Sequence, residues 1–144
     1  MLRFLLTCLL ICNLSLFAQT PRAVLNSGKE IFFTARYSAG GFYNFDRKDY
    51  DVEFEDFAIT KFVLQKDRLY TKFEEGEIKM AWVVFDYERE WSCTQCWRLE
   101  NNTSLCYNYC DDSLAWYFEY SEEHRRWLKV MVFTKLDTIV RESD

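Results

Sequence analysis

Four cysteines fall within one short stretch, Cys93, Cys96, Cys106 and Cys110, and their spacing constrains the fold more than any other feature. Folding the chain back about Asn101 sets Cys96 opposite Cys106, Trp82 opposite Tyr120, Val84 opposite Phe118 and Lys79 opposite Glu123. The even-numbered face of such a ribbon carries Met80, Trp82 and Val84 against Leu114, Trp116, Phe118 and Tyr120, the pattern of paired strands buried on one side. Cys93 and Cys110 miss that register by one residue, so bridging both pairs requires one bulge or break. Four cysteines allow three connectivities. The hairpin register selects Cys93–Cys110 with Cys96–Cys106 nested inside it.

Whether these cysteines are bridges depends on the compartment. Residues 1–18 begin with one basic residue, Arg3, run apolar from Phe4 to Phe17 and reach small Ala18 before polar Gln19-Thr20. This is the pattern of a secretory signal peptide cut near Ala18, and the run is short of the roughly 20 residues needed to span a bilayer. Cleavage removes Cys8 and Cys12 and delivers the rest to an oxidising, extracellular destination, where two disulfides are expected. In a cytosolic chain the same C-x2-C and C-x3-C spacings would suggest zinc, and Cys93-Thr94-Gln95-Cys96 a redox pair, but no βαβ pattern surrounds them. The formal net charge of −5, without a basic stripe, argues against nucleic acid and anionic membrane surfaces.

The remaining chain reads as strands joined by short turns. Residues 19–29 form a polar, exposed lead-in with the only proline, Pro21. A single β domain is expected over 30–135. Its first strand is Glu30–Tyr37, where Ile31, Phe33, Ala35 and Tyr37 alternate with Phe32, Thr34 and Arg36. Asp49, Asp51, Glu53 and Glu55 share one side of the next, opposite Tyr50, Val52 and Phe54; a solvated face explains them better than a calcium site, because no compact oxygen-ligand loop is present. Strands at Ala58–Gln65 and Leu69–Phe73 follow, then a turn at Glu74-Glu75-Gly76-Glu77 and the ribbon opened by Ile78. The last strand is Trp127–Lys135, and 136–144 is a polar tail. No segment has a helical period. The expected architecture is therefore all-β, an antiparallel meander closed as a small up-and-down barrel or, alternatively, packed as a sandwich, with two disulfides.

Between residues 82 and 118 the chain resembles the lipocalins, most of all their retinol-binding branch. Trp82-Val83-Val84-Phe85-Asp86-Tyr87 is similar to the strand and turn of that family, with Phe85 where it prefers Thr, and Cys96-Trp97-Arg98-Leu99 followed by Cys106 is similar to its next strands. Ile31 to Tyr37 is weakly similar to its first strand, although Glu30 stands where the family carries Trp. The resemblance implies an eight-stranded barrel holding a small apolar ligand of the retinoid or fatty-acid class.

No nucleophile elbow, phosphate loop or metalloprotease motif is present, the single histidine, His124, lies in the polar turn Glu122–Arg126, and Asp111-Asp112 reads as a solvated turn. The chain is thus expected to be a non-enzyme without cofactor or metal. Two functions remain. One is a carrier whose ligand meets Trp82, Val84, Trp116 and Phe118 on the inward even face of the ribbon. The other is a secreted interaction module that shows Trp91, Trp97, Tyr107 and Tyr109 around the cysteines to an extracellular protein. The overlapping sequons Asn101-Asn102-Thr103 and Asn102-Thr103-Ser104 place a single glycan on Asn101 or Asn102 at the tip of the turn.

Overall fold

The computed structural model describes residues 19–143; the expected signal segment, with Cys8 and Cys12, lies outside them. A short helix, α1 (Pro21–Asn26), precedes nine strands: β1 (Lys29–Asn44), β2 (Asp49–Asp56), β3 (Thr60–Leu64), β4 (Arg68–Phe73), β5 (Ile78–Arg89), β6 (Thr94–Leu99), β7 (Ser104–Asn108), β8 (Ser113–Ser121) and β9 (Arg126–Glu142). Each strand pairs antiparallel with its neighbour from β3 to β9, and β9 returns to β1. Closure makes the wall an up-and-down barrel rather than a sandwich, and it leaves unpaired edges only locally, along β2 and at the start of β5. β2 and β3 lie end to end along one edge of β1, so eight strands close the barrel and β2 extends it. Side chains at Gly40 and Gly41 would collide with the Phe54 ring and the Asp51 carbonyl, which is why the bulge between them is glycine.

The core follows the alternation of the strands. Ile31, Phe33, Phe62, Leu64, Leu69, Leu99, Leu105, Leu114 and Phe133 are all buried, and rings interlock edge-on: Phe62 with Phe133 at 4.9 Å and Phe33 with Tyr107 at 4.8 Å between centroids. β6 and β7 are buried on both faces, because Cys96, Cys106 and Ser104 form a trough outside the barrel that longer side chains cover.

The cysteine hairpin is present, and its register holds from Thr94↔Asn108 through Cys96↔Cys106 to Arg98↔Ser104. Both disulfides are formed, Cys93–Cys110 and Cys96–Cys106, with Cα separations of 5.6 and 4.0 Å. The register break sits at the end of the ladder instead of within it. Cys93 and Cys110 lie in the flanking turns, just past the bond from Tyr109 N–H to the Cys93 carbonyl at 2.9 Å.

The long ribbon, however, does not exist. The chain turns back between β5 and β6 and again between β7 and β8, so Trp82 stands opposite Arg68 and Tyr120 opposite Trp127. Left-handed backbone at Trp91 (φ 61°) and Asp112 (φ 55°) makes those extra turns possible.

Both ends of the domain also differ from expectation. The lead-in is exposed only in part: Thr20 caps α1 by accepting from Ala23 N–H at 3.3 Å, Pro21 opens it, and Val24 and Leu25 bury against the barrel, while Gln19, Thr20, Ala23, Asn26, Ser27 and Gly28 meet solvent. Six residues are too few to display a helical period. Residues 136–142 are strand rather than tail, paired with β1 as far as Lys29↔Glu142. Lys135 has φ 52°, and beyond it the core-facing positions change parity, so Leu136 packs on the core and interrupts the alternation by which the strand was read.

Candidate ligand site

The four residues expected to line an interior separate into two pairs. Trp116 is buried and Phe118 half-buried, with ring centroids 5.2 Å apart and Trp116 edge-on to Phe62. Trp82 and Val84 face outward, 44% and 61% exposed. On β5 the residues packed against the core are Ala81 and Val83. The parity of β5 relative to β8 had been taken from one hairpin, but two further turns intervene, and each one resets which face points in.

The lower barrel is filled by its own side chains and closed by α1. Beside that helix a concavity of about 220 Å³ lies between Arg22, Leu25, Lys66, Val83, Asp86 and Trp97, spanned by the Arg22–Asp86 ion pair at 2.6 Å. A roomier concavity of about 380 Å³ is walled by Ser38, Phe54, Thr60, Phe73 and Met131. Its lining combines these apolar side chains with two buried hydroxyl-bearing residues, Ser38 and Thr60, and with three carboxylates, Asp56, Glu74 and Glu75. A third, about 690 Å³, lies between the β6–β7 turn and the β8–β9 hairpin and includes Arg98, Asn102, Phe118, Tyr120 and Lys129. Lys129 is held there by Glu119 at 2.6 Å.

Asn101 and Asn102 are exposed at the tip of the β6–β7 turn, as the sequons suggested, and the turn is tied to the core. Asn101 Oδ1 accepts from Thr103 Oγ1 at 2.6 Å, and Thr103 Oγ1 accepts from Trp116 Nε1 at 2.9 Å. No sequence pattern pointed to this link, because it depends on β8 packing beneath the turn.

Outside the barrel, an aromatic and arginine layer covers the Cys96–Cys106 trough. Tyr87 Oη and Ser104 Oγ share a hydrogen bond of 2.9 Å, Tyr50 donates to the Trp127 carbonyl at 2.8 Å, and Arg89 and Arg98 stack on Tyr117 and Trp127 at 5.0 and 4.5 Å. Burial pushes the Tyr50 phenol up to about 12. The Tyr107 phenol is raised further, first by burial and then by its hydrogen bond to Asp112 at 2.7 Å.

Of the four residues expected as protein-contact anchors, Trp97 and Tyr107 are buried in the core and Tyr109 is half-buried; Trp91 stands free in solvent. A different apolar surface is exposed instead: Ile78, Met80, Trp82 and Val84 along the outer face of β5. That strand's second edge joins β6 only from Val83 onward, and its earlier residues have no strand partner there among the described residues. Among the described residues no three His, Cys, Asp or Glu side chains are grouped to hold a metal, and no helix is long and apolar enough to cross a membrane. Comparison with family models, with curated proteins and with solved structures finds no match for this chain.

Proposed function

We propose that this chain is a secreted, non-catalytic carrier of a small hydrophobic ligand of the retinoid or fatty-acid class, lipocalin-like in use as well as in shape. The observation that carries the reading is the closed barrel with a concavity of about 380 Å³ bordered by Phe54, Phe73 and Met131, with Asp56, Glu74 and Glu75 also in its wall, a size within the roughly 300–1,000 Å³ of small-molecule sites. Its two hydroxyls, from Ser38 and Thr60, suit a ligand with one polar end. Secretion is supported by the apolar leader and by two disulfides in a chain of this size. Retinol and hexadecanoate, titrated while tryptophan emission is followed, test the carrier directly. Binding of either that weakens at least about threefold in Phe54→Ala supports it; no binding of either ligand rejects it.

The outer face of β5 favours a second reading, an interaction module. Four exposed apolar side chains lie along a strand whose second edge has no strand partner before Val83; Trp82 is bonded there to Glu100, so the residues from Ile78 to Ala81 are what a partner strand could reach. Failure of the titration, with loss of partner binding on Met80→Lys, is the outcome that prefers it.

A further inference from the structure

A groove on the outer wall of the barrel, separate from the concavity beside Phe54, has Arg98 at its centre. It is about 450 Å³, walled by Phe85, Tyr87, Tyr120, Glu122 and Trp127, and it shares Arg98, Tyr120 and Glu122 with the larger hollow beneath the β6–β7 turn. A bulge creates it. Val83 pairs with Leu99 and Phe85 with Arg98, so two residues of β5 oppose one of β6, and Val84 and Phe85 both turn toward solvent. Without that extra residue Phe85 would not stand across from Arg98 on the outer face. Bulges of this kind re-aim side chains beside binding sites.

Arg98, like Arg89, Arg125 and Arg126, has no ion pair among the described residues, and it is the one of these four that lines the groove. Arg22, Arg36, Arg47, Arg68 and Arg141 each pair with a carboxylate. Arg98 is half-buried and has no carboxylate within ion-pair reach among the described residues; its one contact of note is the face of Trp127 at 4.5 Å. Stacking on an indole holds a guanidinium in place and leaves its N–H groups unused, the state of an arginine prepared for a planar oxyanion. Of the acids nearby, Glu119 is already bound to Lys129, and Glu122 lines the groove without reaching Arg98.

We propose that this groove binds an aromatic molecule bearing a carboxylate or sulfate, the anion on Arg98 and the ring against Phe85, Tyr120 and Trp127. Selectivity follows from charge: a neutral analogue gains the aromatic walls but not the guanidinium, and a cation meets repulsion. The chain's net charge of −5 gives no long-range attraction for such a ligand, so recognition is local and only mildly dependent on salt.

The test is calorimetric titration of the full, disulfide-bonded chain with 1-naphthaleneacetate and with neutral 1-naphthaleneacetamide. The acetate is expected to bind at least about tenfold more tightly, and Arg98→Met to remove that advantage while leaving the amide's affinity in place. Phe85→Ala should weaken both probes, and Phe54→Ala, which alters the other concavity, neither. Equal affinity of the two probes, unchanged acetate binding in Arg98→Met, or a loss in Phe54→Ala matching that in Phe85→Ala would each overturn the proposal. Should Arg98→Met fail to fold, unchanged acetate binding to the exposed-site variant Phe85→Ala overturns it equally. Because Phe54→Ala reports on the retinol or hexadecanoate site alone, either proposal can fail without the other.

Discussion

Truncating Phe62 and Trp82 to alanine, one at a time, tests the facing of the strands. Phe62 is fully buried and meets Phe133 and Trp116 edge-on at 4.9 and 6.1 Å. Phe62→Ala removes its transfer free energy, leaves a cavity and breaks both ring contacts, a total cost of about 3–5 kcal/mol. Trp82 is the larger side chain, but 44% of it is already in water, and its identifiable contact is Arg68 over the ring at 5.0 Å. An exposed cation–π pair contributes about 0.5–1 kcal/mol and partial burial about as much again, so Trp82→Ala should cost about 1–2 kcal/mol. Equilibrium urea unfolding by far-ultraviolet circular dichroism, with disulfides intact, measures both without relying on tryptophan emission. With a slope of about 1.5 kcal/mol per molar, Phe62→Ala should lower the midpoint by about 2–3 M and Trp82→Ala by less than about 1.5 M. Equal costs would mean that Trp82 is a core residue and that the inward face of β5 is the even one, which would refute the register described above.

Thr103→Val should cost about 1–3 kcal/mol, because it strands the buried Trp116 Nε1–H now held at 2.9 Å, whereas Thr103→Ser should be close to neutral; thermal or urea unfolding distinguishes them. Raising the pH should destabilise the fold above about 10, because the Tyr50 phenol ionises near 10.0 when unfolded and near 12 when folded. A raised folded value means that its contribution is intact below pH 10 and is lost as the pH climbs toward 12; Tyr107 acts in the same direction, and Tyr50→Phe should shallow the fall of the urea midpoint. Peptide mapping of the chain expressed through a secretory pathway should find one glycan, on Asn101 or Asn102; two glycans or none would count against the proposed single site at the tip, where both residues are exposed.

What the sequence determined alone were features set by nearest neighbours. The four cysteines, with a turn centred on Asn101, pointed to both bridges: Cys96–Cys106 falls in the hairpin register, and Cys93–Cys110 closes just beyond the ladder in the flanking turns. Alternation in Ile31–Ala35 and Leu114–Trp116 identified strands whose inward residues are indeed core. Tertiary structure decided the rest. Whether Trp82 points in or out depends on how many turns separate β5 from β8, and a turn at Trp91 or Asp112 requires left-handed backbone that no proline or glycine there announces. α1 is helical because Val24 and Leu25 find the open end of a barrel, and β9 continues past Lys135 because β1 is long enough to receive it. The Arg98 groove arises the same way: a one-residue bulge between Val83 and Phe85 brings residues from β5, β6, β8 and β9 together, and such a shift in register is fixed only when the strands close.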